Sequence, residues 1–195
     1  MFVFRGWRGR KNVEYHPSVW PPQYEEVFHG GTSVKFSSVS NSFFKLCSFD
    51  SELLSNTNRR PYLIILRLKY KNKRCDFAIP FRSNISESTP KDQYFSLPPR
   101  KATKNGRKHG LHYIKMFPIK KQYLQKFYTD NNPYYDSILN IINSNLKIII
   151  AEAQNYLINY ENGIEYEYCT NIDTIHQILF GTDISDEVAA TTEKN

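Results

Sequence analysis

Cysteine is scarce in this 195-residue chain: Cys47, Cys75 and Cys169 stand far apart, odd in number, with no CxxC or Cys/His ligand spacing. Neither a disulfide framework nor a zinc module fits that pattern, and free thiols in a reducing cytosol account for it. The five histidines, His16, His29, His109, His112 and His176, form no HExxH or comparable arrangement, so no metal site and no cofactor is implied. Glycine is sparse too, at eight residues, and the pair Gly30 and Gly31 lacks the spacing of a phosphate loop. No GxSxG elbow supports a Ser/His/Asp hydrolase. Long apolar runs are missing. LKIIIA at 146–151 falls well short of the roughly twenty residues that span a bilayer. MFVFRGWRGRK at the start has too short an apolar core, and no small-residue cleavage site, for a secretory signal. A soluble cytoplasmic protein is expected.

Positive charge and aromatic rings are what the chain does have. Its 26 Lys and Arg against 19 Asp and Glu give a net charge of +7, with a pI near 9.2, and aromatics, mostly Tyr and Phe, reach 15%. Lys and Arg neutralise phosphates while Tyr and Phe stack on unpaired bases, so the combination suits a polyanionic partner. A plain solvated basic face is the other reading of the same numbers. At this length, 40% hydrophobic residues can build the core of one domain.

Residues 1–33 differ from the rest. They hold both tryptophans, Pro17, Pro21, Pro22 and the RGWRGR cluster, show no sustained periodicity, and read as an irregular N-terminal extension. From Val34 the pattern becomes regular. VKFSSV predicts a first strand, and SNSFFKLCSFDSELL a short helix with Phe43, Phe44, Leu46 and Cys47 available for burial. PYLIILRLKY and CDFAIPF, joined by KNKR, predict a hairpin. Residues 84–110 are polar, carry Pro90, Pro98, Pro99 and the cluster RKATKNGRKHG, and are expected as a long exposed loop. GLHYIKMFPI (110–119) predicts another strand and KKQYLQKFY a short helix. Asn132 and Pro133 then supply a cap and a first-turn proline. The helical stretch behind them carries Ile138, Leu139, Ile142, Leu146, Ile149, Ala153 and Leu157 as a core-facing stripe, on one bent helix or two. Gly163 is a stop, IDTIHQILF a further short helix, and 182–195 a frayed acidic tail.

FAIPFRSNI (77–85) poses the sharpest question. Proline inside an apolar run gives the ladder no N–H and marks a strand edge or end, and this run delivers Arg82 and Ser83 side by side at its exit. The pair reads either as a site or as a surface cation followed by a turn serine. Lys115, alternating with Ile114 and Met116 in the predicted strand, reads as a site residue or as a solvent-side lysine. Arg100, Lys101, Lys104, Arg107, Lys108 and His109 form a basic cluster that fits phosphate contacts or plain solvation. His109, beside both a cation run and a glycine, is a candidate acid or base.

The order of these pieces resembles a family. KF…SxSFFKL…FD, PYLIILRL, FAIPFRSNI, GLHYIKMFPI and a helical C-terminal half, over about residues 34–180, resemble the endoribonuclease toxins of type III toxin–antitoxin systems. The ToxN, AbiQ and TenpN groups belong here, and the TenpN-like branch is the nearest match. The resemblance implies an α+β fold: a compact, strongly curved, barrel-like antiparallel β-sheet flanked by helices, with a mostly helical C-terminal half. The toxin domain would span 34–181, with 182–195 as a flexible tail. Ser83 matches the serine of the family's proline-containing motif. Arg82 stands where ToxN-like members have threonine, and Asn84 and Ile85 occupy the place of the lysine that follows there. Arg59 or Arg60 matches the basic residue before the apolar strand, and Lys115 the lysine of the later strand.

The reaction so implied is metal-independent attack of a 2′-hydroxyl on its neighbouring phosphate, leaving a 2′,3′-cyclic phosphate and a 5′-hydroxyl. Ser83, Arg82 and Lys115 would be catalytic, with Lys115 a second cation or the donor to the leaving 5′-oxygen. Arg59, Arg60, Arg100, Lys101, Lys104, Arg107, Lys108 and His109 would contact RNA. The implied partner is a repeated, structured small RNA antitoxin held by several toxin chains in a closed ring, with cellular or phage RNA as substrate and phage defence as the setting. A non-catalytic RNA-binding protein using the same basic, aromatic surface is the competing reading, and a structural module a third. Val34 can be read from GUG, an alternative bacterial start codon, and Gly30-Gly31 from a purine-rich element at ribosome-binding distance. The natural chain is therefore expected to start at Val34.

Overall fold

Lys71 and Asn72, at φ 47° and 62°, close a two-residue hairpin of the primed type, whose twist matches that of the strands it joins. The computed structural model describes residues 34–53, 63–129 and 131–181, all in the second of the two units into which the chain divides, Thr32–Asn195. The extension expected at 1–33, the tail at 182–195, and Arg59 and Arg60 lie outside the described residues. The hairpin strands are β2 (Leu63–Tyr70) and β3 (Lys73–Ser86), in register from Tyr70↔Lys73 to Leu63↔Pro80. With β1 (Ser37–Val39), β4 (Tyr94–Leu97), β5 (Arg107–His112), β6 (Phe117–Pro118) and β7 (Leu124–Lys126) they form a seven-stranded antiparallel sheet. Its order is β4-β5-β3-β2-β1-β7, with β6 paired to β3 off that path. The sheet is curved and open, and with its helices the fold is α+β.

Pro80 does not end β3, which corrects the strand-end reading. It stands opposite Leu63, the last described pair with β2, and from Phe81 the same strand is held along its other edge by β5. β6 continues that edge at Phe77 and Ala78. Proline thus sits at the last described rung with β2, opposite Leu63, and from Phe81 the strand also pairs with β5. The loop expected at 84–110 is corrected as well: β3 runs on to Ser86, a 3-10 turn at Lys91–Gln93 leads into β4, and β5 begins at Arg107. GLHYIKMFPI is not one strand but the end of β5, a 3-10 turn at Tyr113–Lys115, and β6. KKQYLQKFY gives a 3-10 turn and β7 in place of a helix, because β7 is captured by β1 through Val39↔Leu124 and Ser37↔Lys126. The local helical reading yields to such non-local strand pairing.

The helices follow local pattern more closely. α1 (Asn41–Leu46) buries Phe43, which stacks on Phe117 at 5.0 Å in a core shared with Val39, Cys47, Leu63 and Ile119. A six-residue helix has one inward stripe, so Leu46, expected inside, is 43% exposed. α2 (Pro133–Ser144) starts as read, the Asn132 side chain accepting from Tyr134 N–H at 3.0 Å. Asn145 then breaks the stripe, its Nδ2 donating to the Ile141 carbonyl, and α3 (Leu146–Glu161) resumes beyond it. α3 covers the outer edge of β2. Its Gln154 accepts from Lys69 N–H and donates to Lys69 C=O, both at 2.8 Å, in the place of a neighbouring strand. Ile149, Ala153 and Leu157 are buried as the stripe requires, and α4 (Ile172–Phe180) adds Ile172, Ile175 and Leu179. Among the described residues no helix is long and apolar enough to cross a membrane.

Candidate functional site

Past Pro80 the pairing of β3 with β5 slips. Arg82 faces Gly110 but Ile85 faces Lys108, so β3 carries one extra residue and Ser83 and Asn84 form a β-bulge, a device that re-aims side chains. Arg82 and Ser83 are both half-buried. Asn84 fixes the basic loop beside them: its Oδ1 accepts from Lys104 N–H at 2.9 Å and its Nδ2 donates to Ala102 C=O at 3.4 Å.

Residues opposite each other in an antiparallel pair share a sheet face, and Gly110 shares its face with His112, two residues along β5. Arg82 and His112 therefore lie on one side of the sheet. His112 is 2% exposed, and among the described residues neither of its ring nitrogens has a hydrogen-bond partner. Burial first, then the charges of Arg82 and Lys115, push its pKa down to about 3, so the ring is neutral at physiological pH. Lys115 is also 2% exposed. Its ammonium pairs with Glu52 and donates to the Tyr168 carbonyl. Glu52 is placed by a turn in which its N–H donates to Asp50 Oδ1 at 2.9 Å, while Asp50 Oδ2 accepts from Asn171 N–H at 2.8 Å. The bulged stretch of β3, the turn after β5 and the segment before α4 thus meet around one imidazole and two cations.

The remaining sequence candidates divide. Lys101, Lys104 and Arg107 are exposed and Arg100 half-buried, all free to meet a polyanion. Lys108 is engaged, its ammonium donating to Tyr94 OH at 2.8 Å and lying 5.3 Å from that ring's centre. His109 is 3% exposed; its Nδ1–H donates to the Pro98 carbonyl at 2.8 Å and its ring stacks on Phe81 at 6.2 Å. Burial lowers its pKa. Read from the sequence as a candidate acid or base and as an RNA contact, it lies buried on the opposite face of β5 from His112. Lys115, expected on a half-exposed strand, sits instead in a buried 3-10 turn. His112 and Glu52 were not singled out from the sequence. The signal for His112 was parity with Gly110, visible only once β5 is known to end there.

No protein-family model and no curated protein sequence matches the chain. Solved structures do resemble it. One comes from a bacterial antiviral system regulated by a processed non-coding RNA, with TM-score 0.55, 17% identity, and coverage of 73% of this chain and 95% of its own. A second comes from a bacterial type III toxin–antitoxin system in which a non-coding RNA pseudoknot selectively inhibits the toxin, with TM-score 0.55, 14% identity, and coverage of 75% and 95%. A third is AbiQ, a lactococcal anti-phage endoribonuclease belonging to the type III toxin–antitoxin system, with TM-score 0.49, 15% identity, and coverage of 74% and 94%. With the first two this chain shares its fold.

Proposed function

We propose that this chain is the endoribonuclease toxin of a type III toxin–antitoxin system acting in phage defence, and that it cleaves RNA without a metal. The supporting observation is that Arg82 and Lys115 both act on one buried imidazole, beside the bulge of β3 that carries Ser83, on a fold shared with a chain from such a system. The 2′-hydroxyl attacks the adjacent phosphorus, giving a 2′,3′-cyclic phosphate and a 5′-hydroxyl, and DNA is inert for want of that hydroxyl. Arg82 stabilises the charge that builds on the non-bridging oxygens, where its fork of donors fits. Ser83, in the bulge, donates to a phosphate oxygen or orients the 2′-hydroxyl, and Lys115 supplies a second cation from behind. The inhibitor is a repeated, structured RNA, held by several chains in a closed ring.

Incubation with total RNA in chelator, followed by mapping of the new ends, tests the reading. Cyclic phosphate and 5′-hydroxyl ends are expected at recurring sequences, and RNA that stays intact would favour a binding protein. The basic loop makes a separate prediction. Neutralising Lys101, Lys104 and Arg107 together lowers the salt slope of RNA binding by about 2, at roughly 0.7 per phosphate contact on single strands. Lys108→Met leaves the slope unchanged, because that ammonium is already spent on Tyr94. An unaltered slope in the triple variant would remove the loop from the RNA interface.

A further inference from the structure

We propose that His112 is the base that takes the proton from the attacking 2′-hydroxyl. The proposal rests on the ribonuclease reading above and adds to it the proton acceptor that Arg82, Ser83 and Lys115 do not supply.

The argument starts from a cost. Buried polar groups in folded proteins almost always find partners, yet both nitrogens of His112 are closed to solvent and unpartnered. A purely structural position of this kind is better served by an apolar ring or a bonded one. His109, three residues earlier on β5, shows the bonded alternative, its Nδ1–H held by the Pro98 carbonyl. His112 instead shares its sheet face with Arg82, which stands across from Gly110. The charged groups acting on the ring are Arg82 from β3 and Lys115 from the 3-10 turn, the latter paired with Glu52. Tyr94 is opposite it on β4, with its hydroxyl taken by Lys108.

That environment suits a base. Burial, and after it the two cations, keep the ring unprotonated in the free protein, so a nitrogen lone pair is available at any physiological pH. A phosphodiester drawn to Arg82 places negative charge beside the ring, and the phosphorane-like transition state carries more. Proton affinity therefore rises as the 2′-oxygen releases its proton. In the step itself the 2′-O–H bond breaks and its proton passes to a ring nitrogen, while the 2′-oxygen bonds to phosphorus. The P–O5′ bond breaks opposite it, and the 5′-oxygen keeps the electron pair and takes a proton from water. The hydroxide so formed discharges the imidazolium and restores the ring. Because the ring is 2% exposed in the free protein, the assignment requires that RNA binding uncovers it.

Histidine NMR on the full chain tests this directly, free and bound to RNA of a mapped cleavage sequence with 2′-deoxyribose at the cut site. The free ring is expected to stay neutral down to about pH 4, and in the complex its midpoint is expected to rise by about two units as the phosphate charge arrives. His112→Ala and His112→Gln are each expected to cleave about 10²-fold more slowly with RNA affinity retained. Added imidazoles then restore His112→Ala in proportion to their basicity, which a packing role would not produce. A midpoint that does not move on binding, or either variant cleaving at the wild-type rate, overturns the assignment while the ribonuclease reading stands. A wild-type protein that cuts no RNA at all removes the ribonuclease reading and this inference with it.

Discussion

On the proposed reading, Arg82→Ala and Ser83→Ala are each expected to slow RNA cleavage by about 10² to 10³-fold, the usual effect of removing one preorganised donor, while the protein keeps its melting temperature. Both side chains are half-buried at a bulge and outside the main apolar cluster, so truncation leaves no large cavity. Arg82→Lys recovers only part of the rate, since a single ammonium does not reproduce the planar fork on two phosphate oxygens. Lys115 is a different case. Its ammonium is buried against Glu52 and the Tyr168 carbonyl, and Lys115→Ala strands both partners. That variant therefore loses stability as well as activity, and its kinetics have meaning only beside a melting curve. Single-turnover cleavage at saturating enzyme separates the chemical step from binding for all three. Wild-type rates in Arg82→Ala and Ser83→Ala would move the site away from the bulge of β3.

The elements that sequence made legible are those fixed by neighbours along the chain. Asn132 caps α2, the stripe through Ile138, Ile142, Ile149, Ala153 and Leu157 is buried, and Lys71-Asn72 turns the hairpin. Helix periodicity and turn chemistry are local quantities. What stayed hidden depends on distant partners. β4 shows Tyr94 and Leu97 buried over four residues, too few for alternation to register, and it exists because β5 lies beside it. β7 reads as helix until Val39 claims Leu124. The site divides the same way: Arg82 and Ser83 stand out because they interrupt an apolar run. His112 was passed over because its isolation is a property of the folded environment, which no spacing encodes.

Gly110→Ala is expected to cost about 4 kcal/mol, a loss of the size reserved for severe core overpacking. Conformational freedom is not the reason, since the strain lies in space. A Cβ at Gly110 would stand 2.1 Å from the Phe95 carbonyl oxygen and 3.0 Å from its carbon, and these are backbone atoms that no rotamer change can clear. β4 has to part from β5, breaking the register Tyr94↔His112, Phe95↔Leu111, Ser96↔Gly110 and Leu97↔His109 and exposing the buried Tyr94 and Leu97. For a chain of this length the loss is about 10 °C in melting temperature. Gly163→Ala supplies the contrast. It sits at φ +78° with nothing within 4 Å of the new methyl, so only left-handed backbone strain opposes it, at about 1 kcal/mol. The two glycines thus separate steric from conformational cost in one protein. Because Gly110 lies opposite Arg82 and two residues before His112, any Gly110→Ala protein that remains folded carries a displaced strand under the proposed site, and its cleavage rate falls further than its stability accounts for. Differential scanning calorimetry of both variants decides the matter. A Gly110→Ala melt within about 2 °C of wild type would show that β4 does not press on β5 at this point.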